Sequence, residues 1–316
     1  MTSLRYHPVV QRLKIRATKV SDWVARKLKD TKPWFRRMLL FLRPSELPTA
    51  AVGPDGRYVL EQEFARGSTG ILYRARDVRL DRNVALKQLF SHRRGETETL
   101  ERFRKQAHVL ASLAHPNIIH VFDFIEEAGN SWIAMELVNG ESLEKRLSDG
   151  PLSVEETVRR GTEIADALGY AHKTGVIHRN LNPGNVLVDG KDRCKISNFG
   201  IATAPDPGGN GKSEEIHDSP ALLSPEQANG DELDERADVY ALGVSLFLMT
   251  TGTVPFRGNA REIVDQVLSE EPPSPRSLNP AVPEALDALI LKMMAKDPSD
   301  RPQSMAEVKA ALKELH

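Results

Sequence analysis

Apolar and polar side chains alternate along residues 58–89 and again along residues 118–138, with glycine-containing turns between the runs. A period of two residues, combined with β-branched positions, predicts β-strands. Residues 96–114, which separate the two runs, have the apolar spacing of a helix. The chain up to about residue 138 is therefore predicted to form a small, β-rich half.

Beyond residue 150 the apolar positions recur every three or four residues, which predicts helices. The predicted helices span residues 153–173, 234–251, 259–270, 283–296 and 304–315. Residues 203–220 are rich in Pro, Gly, Asn and Ser and are expected to form a loop. The predicted fold class is α+β, with a small β-rich lobe (about 58–138) before a larger α-helical lobe (about 139–316).

The first 50 residues differ from the rest of the chain in charge. They contain 12 Lys or Arg and 3 Asp or Glu, whereas the whole chain has 43 and 44 and a net charge of −1. Residues 8–30 have apolar positions at i+4 spacing, which predicts a basic helix. We therefore expect a basic amphipathic extension (1–50), a linker (51–57) and an acidic folded domain (58–316).

The composition is that of a globular protein, with 40% hydrophobic and 28% charged residues. The single cysteine, Cys194, excludes an internal disulfide and fits a reducing compartment. No apolar run approaches the ~20 residues of a membrane-spanning helix, and the N-terminus lacks the apolar core of a secretory signal. These features predict a cytoplasmic protein.

Several short motifs follow one another in the folded domain. They are Ala65-Arg66-Gly67-Ser68-Thr69-Gly70-Ile71-Leu72, Val84-Ala85-Leu86-Lys87, His178-Arg179-Asn180-Leu181-Asn182-Pro183-Gly184-Asn185, Asn198-Phe199-Gly200, Ser224-Pro225-Glu226, Asp238 and Arg301. In this order and spacing, residues 58–316 resemble the bacterial serine/threonine protein kinases of the eukaryotic-like type. The resemblance implies the two-lobed protein kinase-like fold.

The resemblance also implies a site for ATP between the lobes. Lys87 matches the lysine that neutralises the α- and β-phosphates, and glycines let backbone amides approach phosphate oxygens. The residues implied to line this site are Ala65, Gly67, Gly70, Leu72, Ala85, Lys87, Gln106, Met135, Glu136, Val138 and Leu187. Ala65 replaces the first glycine of the pattern, and Gln106 replaces the glutamate that pairs with the lysine.

Three further charged positions of the family pattern hold neutral amides. Asn180 replaces the aspartate that accepts the proton of the substrate hydroxyl, and an amide cannot act as that base. Asn182 replaces the lysine that contacts the γ-phosphate. Asn198 replaces the principal Mg²⁺ ligand, while the second metal position, Asn185, is retained. Since Mg²⁺ requires carboxylate charge, we expect a much weakened metal site.

These residues are compatible with three functions. The first is a pseudokinase that regulates or scaffolds a protein partner, such as an active kinase or its substrate. The second is a serine/threonine kinase with weak or atypical activity, because Lys87, Asn185, Gly67 and Gly70 are retained. The third is an ATP sensor that binds the nucleotide without a metal ion.

The basic extension has two interpretations. An amphipathic basic helix followed by the apolar patch Trp34–Leu42 fits peripheral contact with an anionic inner membrane surface. The same residues would equally fit packing against the acidic domain or against a partner protein. No aromatic-lined basic groove is evident, so nucleic-acid binding is not expected.

Overall fold

The computed structural model of the chain describes residues 51–67, 70–90, 107, 109–127, 129–199 and 220–315. The basic extension, Gln106 and residues 203–219 of the predicted loop lie outside the described residues, so the expectations for them stay predictions. No helix among the described residues is long and apolar enough to cross a membrane.

Six antiparallel strands form the sheet of the first lobe, in the order β1-β2-β3-β4-β6-β5. They are β1 (Ala51–Val52), β2 (Tyr58–Arg66), β3 (Gly70–Asp77), β4 (Arg82–Leu89), β5 (Val121–Glu127) and β6 (Asn130–Glu136). Four consecutive residues of β4, positions 84–87, are buried, as expected of a strand that is covered on both faces. Residues 107 and 109–112 are helical, within the predicted helix 96–114.

Two residues of the predicted linker (51–57) pair with the sheet, as the short edge strand β1. Val52 pairs with Tyr58, and the connection between them contains the 3₁₀ turn Pro54–Gly56. Gly53 has a φ of 88°, and its backbone N–H donates to Glu127 Oε2 at 2.8 Å. The Pro and Gly residues that suggested a linker therefore form the turn between two paired strands.

The second lobe is mostly helical, as predicted. Its helices are α1 (Leu143–Leu147), α2 (Val154–Lys173), α3 (Pro225–Asn229), α4 (Arg236–Thr251), α5 (Ala260–Ser269), α6 (Pro275–Leu278), α7 (Glu284–Met293) and α8 (Met305–Lys313). The five predicted helices match α2, α4, α5, α7 and α8 with ends within three residues. Side-chain caps explain the starts of α2 and α5, because Ser153 and Asn259 accept backbone N–H groups of the first turn.

A small second sheet lies where the two lobes meet. It consists of β7 (Gly140–Ser142), β8 (Val186–Asp189) and β9 (Cys194–Ile196), in the order β7-β8-β9. Cys194 is fully buried, and burial raises the pKa of its thiol to about 12. This is the environment of a packing residue, as the alternating pattern of the strand predicts.

The α-helical lobe is built around α4, which is buried along almost its whole length. An ion pair beside this helix joins Arg301 to Glu226 through two hydrogen bonds of 2.7 and 2.8 Å. The Arg301 guanidinium also lies 5.0 Å from the centre of the Tyr240 ring. Arg301 is 2% exposed, so its charge requires a partner, which Glu226 provides.

Candidate active site and nucleotide cleft

Asp238, near the start of α4, fixes the backbone of the catalytic loop (residues 178–185). Its two carboxylate oxygens accept the backbone N–H groups of His178 at 2.8 Å and Arg179 at 2.9 Å. The same carboxylate lies 2.7 Å from Nε2 of His172 on α2. Arg179 has a φ of 64°, a conformation that is sparsely populated without such support. The fold therefore sets the loop geometry independently of the residues that would do chemistry.

His178 connects this loop to the segment that contains Asn198. Its Nδ1 accepts the backbone N–H of Asn180 at 3.3 Å, so Nε2 carries the proton and donates to the Ser197 carbonyl at 3.0 Å. Burial lowers the pKa of His178 and outweighs the nearby Asp238 carboxylate, which keeps the ring neutral. The ring of Phe199 packs against it, with centroids 4.5 Å apart.

Asn182 and Asn180 are joined by hydrogen bonds inside the catalytic loop. The Asn182 side-chain N–H₂ donates to the carbonyl oxygen of Asn180 at 3.1 Å and to Asn180 Oδ1 at 3.2 Å. Asn182 Oδ1 accepts the backbone N–H of Asn185 at 3.1 Å. Asn182 therefore caps the 3₁₀ turn Pro183–Asn185, a role that needs an acceptor and that lysine cannot fill.

Lys87, Asn198 and Asn185 form a continuous chain of hydrogen bonds across the cleft. Lys87 Nζ donates to Asn198 Oδ1 at 3.0 Å, and Asn198 Nδ2 donates to Asn185 Oδ1 at 2.8 Å. The Asn185 side-chain N–H₂ then donates to the Asn180 carbonyl at 2.8 Å. Asn198 has a φ of 60°, which asparagine tolerates better than most residues. We call Lys87, Asn180, Asn182, Asn185 and Asn198 the amide cluster.

Of the residues predicted to line the nucleotide site, Leu72, Ala85, Met135 and Leu187 lie on the two sheets, and Val138 lies in the connection between β6 and β7. In the strand registers, Leu72 is opposite Lys87 and Ala85 is opposite Met135. Leu72, Val138 and Leu187 are partly buried apolar residues that pack against the core. Partly exposed apolar side chains on both sides of a cleft provide the surface that a flat aromatic ring requires.

The phosphate-covering loop is described at both ends, up to Gly67 and from Gly70. The Gly67 N–H donates to the Gly70 carbonyl at 2.9 Å, which closes the turn. A Cβ on Gly70 would lie 2.1 Å from the carbonyl oxygen of Gln88, whereas one on Gly67 would meet no heavy atom within 4 Å. Ala65 is exposed at a bulge of β2. Alanine is therefore accommodated at position 65 without steric conflict.

Residues 58–312 match the protein kinase domain family. The chain belongs to the protein kinase family. The kinase domain is 36% identical to the serine/threonine-protein kinase PrkC of Bacillus subtilis over 82% of this chain, and 34% identical to the serine/threonine-protein kinase PknB of Mycobacterium leprae over 82%. The chain spans only 40% and 43% of the length of these two relatives.

A solved structure agrees with this assignment. The crystal structure of the PknI kinase domain of Mycobacterium tuberculosis superposes with a TM-score of 0.69 at 27% identity, covering 85% of this chain and 98% of that one. The two-lobed protein kinase fold, with its antiparallel β-sheet lobe and helical lobe, is therefore confirmed.

The Mg²⁺ that the family implies does not fit the described side chains at the two metal positions, Asn185 and Asn198. Asn198 and Asn185 offer neutral amide oxygens, and each oxygen already accepts an N–H. The Lys87 ammonium occupies the immediate surroundings of the Asn198 oxygen. Within the described residues, no three His, Cys, Asp or Glu side chains are grouped so as to hold a metal ion. A small dication that needs several close oxygens therefore has no suitable ligand set here.

A charged pair at the hinge between the lobes was not predicted from the sequence. Lys195 Nζ lies 2.8 and 2.9 Å from the two carboxylate oxygens of Glu136, and Lys195 is only 7% exposed. In β9, Lys195 alternates with the buried Cys194 and Ile196, a pattern that is typical of a solvent-facing side chain. Predicting the pair would have required knowing that Glu136 lies beside strand β9. No local sequence pattern encodes that contact.

Proposed function

We propose that this kinase domain is a pseudokinase, a regulatory or scaffolding module that acts on a protein partner without transferring phosphate. The observation that carries the proposal is the position of Asn180. It lies where the family has its base, and its Oδ1 accepts an N–H from Asn182. A neutral amide oxygen cannot take a proton from a hydroxyl group at physiological pH, and losing a general base costs about 10²–10⁴ in rate.

The retained features support a folded binding module. Asp238 fixes the catalytic loop, the Arg301–Glu226 pair is intact, and Phe199 is buried against His178. These contacts maintain the shape of the domain, on which protein recognition depends. The partner and the peripheral membrane contact through residues 1–50 are likewise proposals, based on composition alone.

A weakly active kinase is the second candidate. Lys87 lies 3.0 Å from the residue at the metal position, so the phosphate-binding lysine is in place across the cleft. The matched relatives are named serine/threonine-protein kinases. Those names describe the relatives, whose sequences extend well beyond the matched part.

Phosphate transfer by the full chain tests the proposal. We expect radiolabel incorporation into protein substrates, and into the chain itself, to equal that of Lys87→Ala. Transfer that Lys87→Ala abolishes would overturn the pseudokinase assignment. A variant that restores the charges (Gln106→Glu, Asn180→Asp, Asn182→Lys and Asn198→Asp) serves as the positive control, and we expect it to exceed the parent by about 10² or more.

A further inference from the structure

A cavity of about 460 Å³ lies in the helical lobe, between the end of α2 and the start of α4. Its volume is within the range of small-molecule sites. The residues that line it are His172, Gly175, Ile177, Asp234, Glu235, Arg236 and Gln303. None of them belongs to the amide cluster or to the residues predicted to line the nucleotide site, so this cavity is separate from the nucleotide cleft.

His172, in the wall of this cavity, has one ring nitrogen without a hydrogen-bond partner. Its Nε2 lies 2.7 Å from the Asp238 carboxylate, which can only accept, so Nε2 carries a proton. Nδ1, on the other side of the ring, is buried and bonds to no group among the described residues, and the side chain is only 4% exposed. In a neutral ring that donates through Nε2, Nδ1 is an acceptor. A buried acceptor is costly to leave unpaired, so Nδ1 requires a donor.

Glu235 places a second acceptor beside this nitrogen. Its Oε2 lies 3.8 Å from His172 Nδ1, which is too far for a hydrogen bond. Within the described part of the chain, the Glu235 carboxylate has no closer charged partner than this ring, and its side chain is 41% exposed, so it has room to turn. A single nitrogen with two N–H groups could donate to both acceptors at about 2.9 Å. The pair therefore fits the N–H groups of an ammonium or guanidinium ion.

The charges around the cavity also favour a cation. Asp234 and Arg236 offset each other, since Arg236 Nη2 donates to Asp234 Oδ2 at 2.6 Å. This leaves the Glu235 carboxylate as the net charge of the lining side chains. A neighbouring cavity of about 370 Å³ shares Glu235 but also contains Lys173 and Lys309, so a cation is expected in the larger of the two.

We propose that the larger cavity binds a small organic cation, whose ammonium or guanidinium N–H groups donate to His172 Nδ1 and to the Glu235 carboxylate. The partly buried Ile177 provides an apolar wall for the carbon chain of such a ligand. The site adjoins the support of the catalytic loop, because the same histidine ring bonds to Asp238, which accepts the backbone N–H of His178. The proposal goes beyond the pseudokinase function and does not depend on it.

A calorimetric titration of the full chain with agmatine, which carries one guanidinium and one ammonium group, tests the proposal. We expect saturable binding of agmatine and none of butyrate, an anion with a similar carbon chain. Glu235→Gln keeps the size of the side chain but removes its charge, and we expect the Kd to rise by about tenfold or more. Glu232→Gln is the matched control, because Glu232 is exposed on the same loop and lines neither cavity, so its Kd should equal that of the unsubstituted chain. Thermal unfolding checks that each variant is folded.

Long-range ¹H–¹⁵N spectra of the histidine rings report the second contact. We expect Nδ1 of His172 to be unprotonated in the free chain and its resonance to move when agmatine binds. His172→Gln identifies this resonance among those of the 9 histidines. Absence of saturable agmatine binding, an equal Kd in Glu235→Gln, or a proton on Nδ1 in the free chain would each overturn the proposal. These readouts do not involve phosphate transfer, so the pseudokinase proposal is tested separately.

Discussion

The base of the helical lobe, at Arg301 and Glu226, contains a buried pair of charged residues. The mouth of the cleft, at Asn180 and Asn198, contains neutral amides instead. At the base, Arg301 and Glu226 are buried and joined by two hydrogen bonds. At the mouth, the positions of two aspartates hold Asn180 and Asn198, which bond to other amides and to Lys87. The comparison teaches that the charges which maintain the fold can be kept while those that serve phosphoryl transfer are lost.

The largest expected effect is on the buried pair. Arg301→Ala leaves the Glu226 carboxylate without its partner, and we expect a loss of about 3–5 kcal/mol in the free energy of unfolding. Chemical denaturation of the full chain measures it. Arg276→Ala is the control, because Arg276 forms an exposed pair with Glu284 at 3.5 Å, for which we expect a change below about 1 kcal/mol. Equal losses in the two variants would mean that the buried pair contributes no more to stability than the exposed pair.

A smaller effect concerns His178, the buried residue that connects the catalytic loop to the segment containing Asn198. Burial lowers its pKa, so below the unfolded pKa of about 6.5 the unfolded chain binds a proton that the folded chain does not. Stability therefore falls as the pH drops below about 6.5, by about 1.4 kcal/mol per unit for this group. His115, whose pKa burial also lowers, adds a loss of the same sign.

His178→Gln checks this prediction. Melting temperatures recorded between about pH 7 and pH 5 should depend less on pH in this variant than in the unsubstituted chain. His115→Gln should reduce the dependence too, because it removes the partly buried second ring. An unchanged slope in His178→Gln would mean that the ring is not held neutral in the folded protein.

The smallest expected effect concerns the contribution of Asn182, a member of the amide cluster, to the stability of the fold. Asn182→Lys introduces the family residue, but it removes the acceptor that caps the turn Pro183–Asn185. We expect a loss of about 1 kcal/mol, the usual value of such a cap, measured by thermal unfolding. Asn139→Lys, at an exposed position, is the control for the added charge. A stability unchanged by Asn182→Lys would show that the cap has no energetic role.

Periodicity predicted the helical lobe well, because α2, α5 and α8 combine a recurring apolar pattern with a capping residue at the start, namely Ser153, Asn259 and Ser304. The helices α4 and α7 begin without a side-chain cap and were identified from their apolar residues alone. Periodicity failed at β1, since two residues that pair across a tight turn are too short to have a period. Motif spacing identified Asn182 and Asn198, but not their hydrogen bonds. An amide presents either an oxygen or an N–H₂, and only the three-dimensional environment decides which group faces a neighbour.

Gly70 illustrates how a residue of a nucleotide-binding motif can be required by the fold itself. Its lack of a side chain is imposed by the carbonyl of Gln88 in the adjacent strand, only 2.1 Å from where a Cβ would lie. Any larger residue would disrupt strand pairing whether or not a nucleotide entered the cleft. Sheet geometry alone therefore accounts for a glycine at position 70, and it sets no such demand on the exposed position 65. The glycine is thus no measure of affinity for ATP, which depends on the groups that would contact the phosphates.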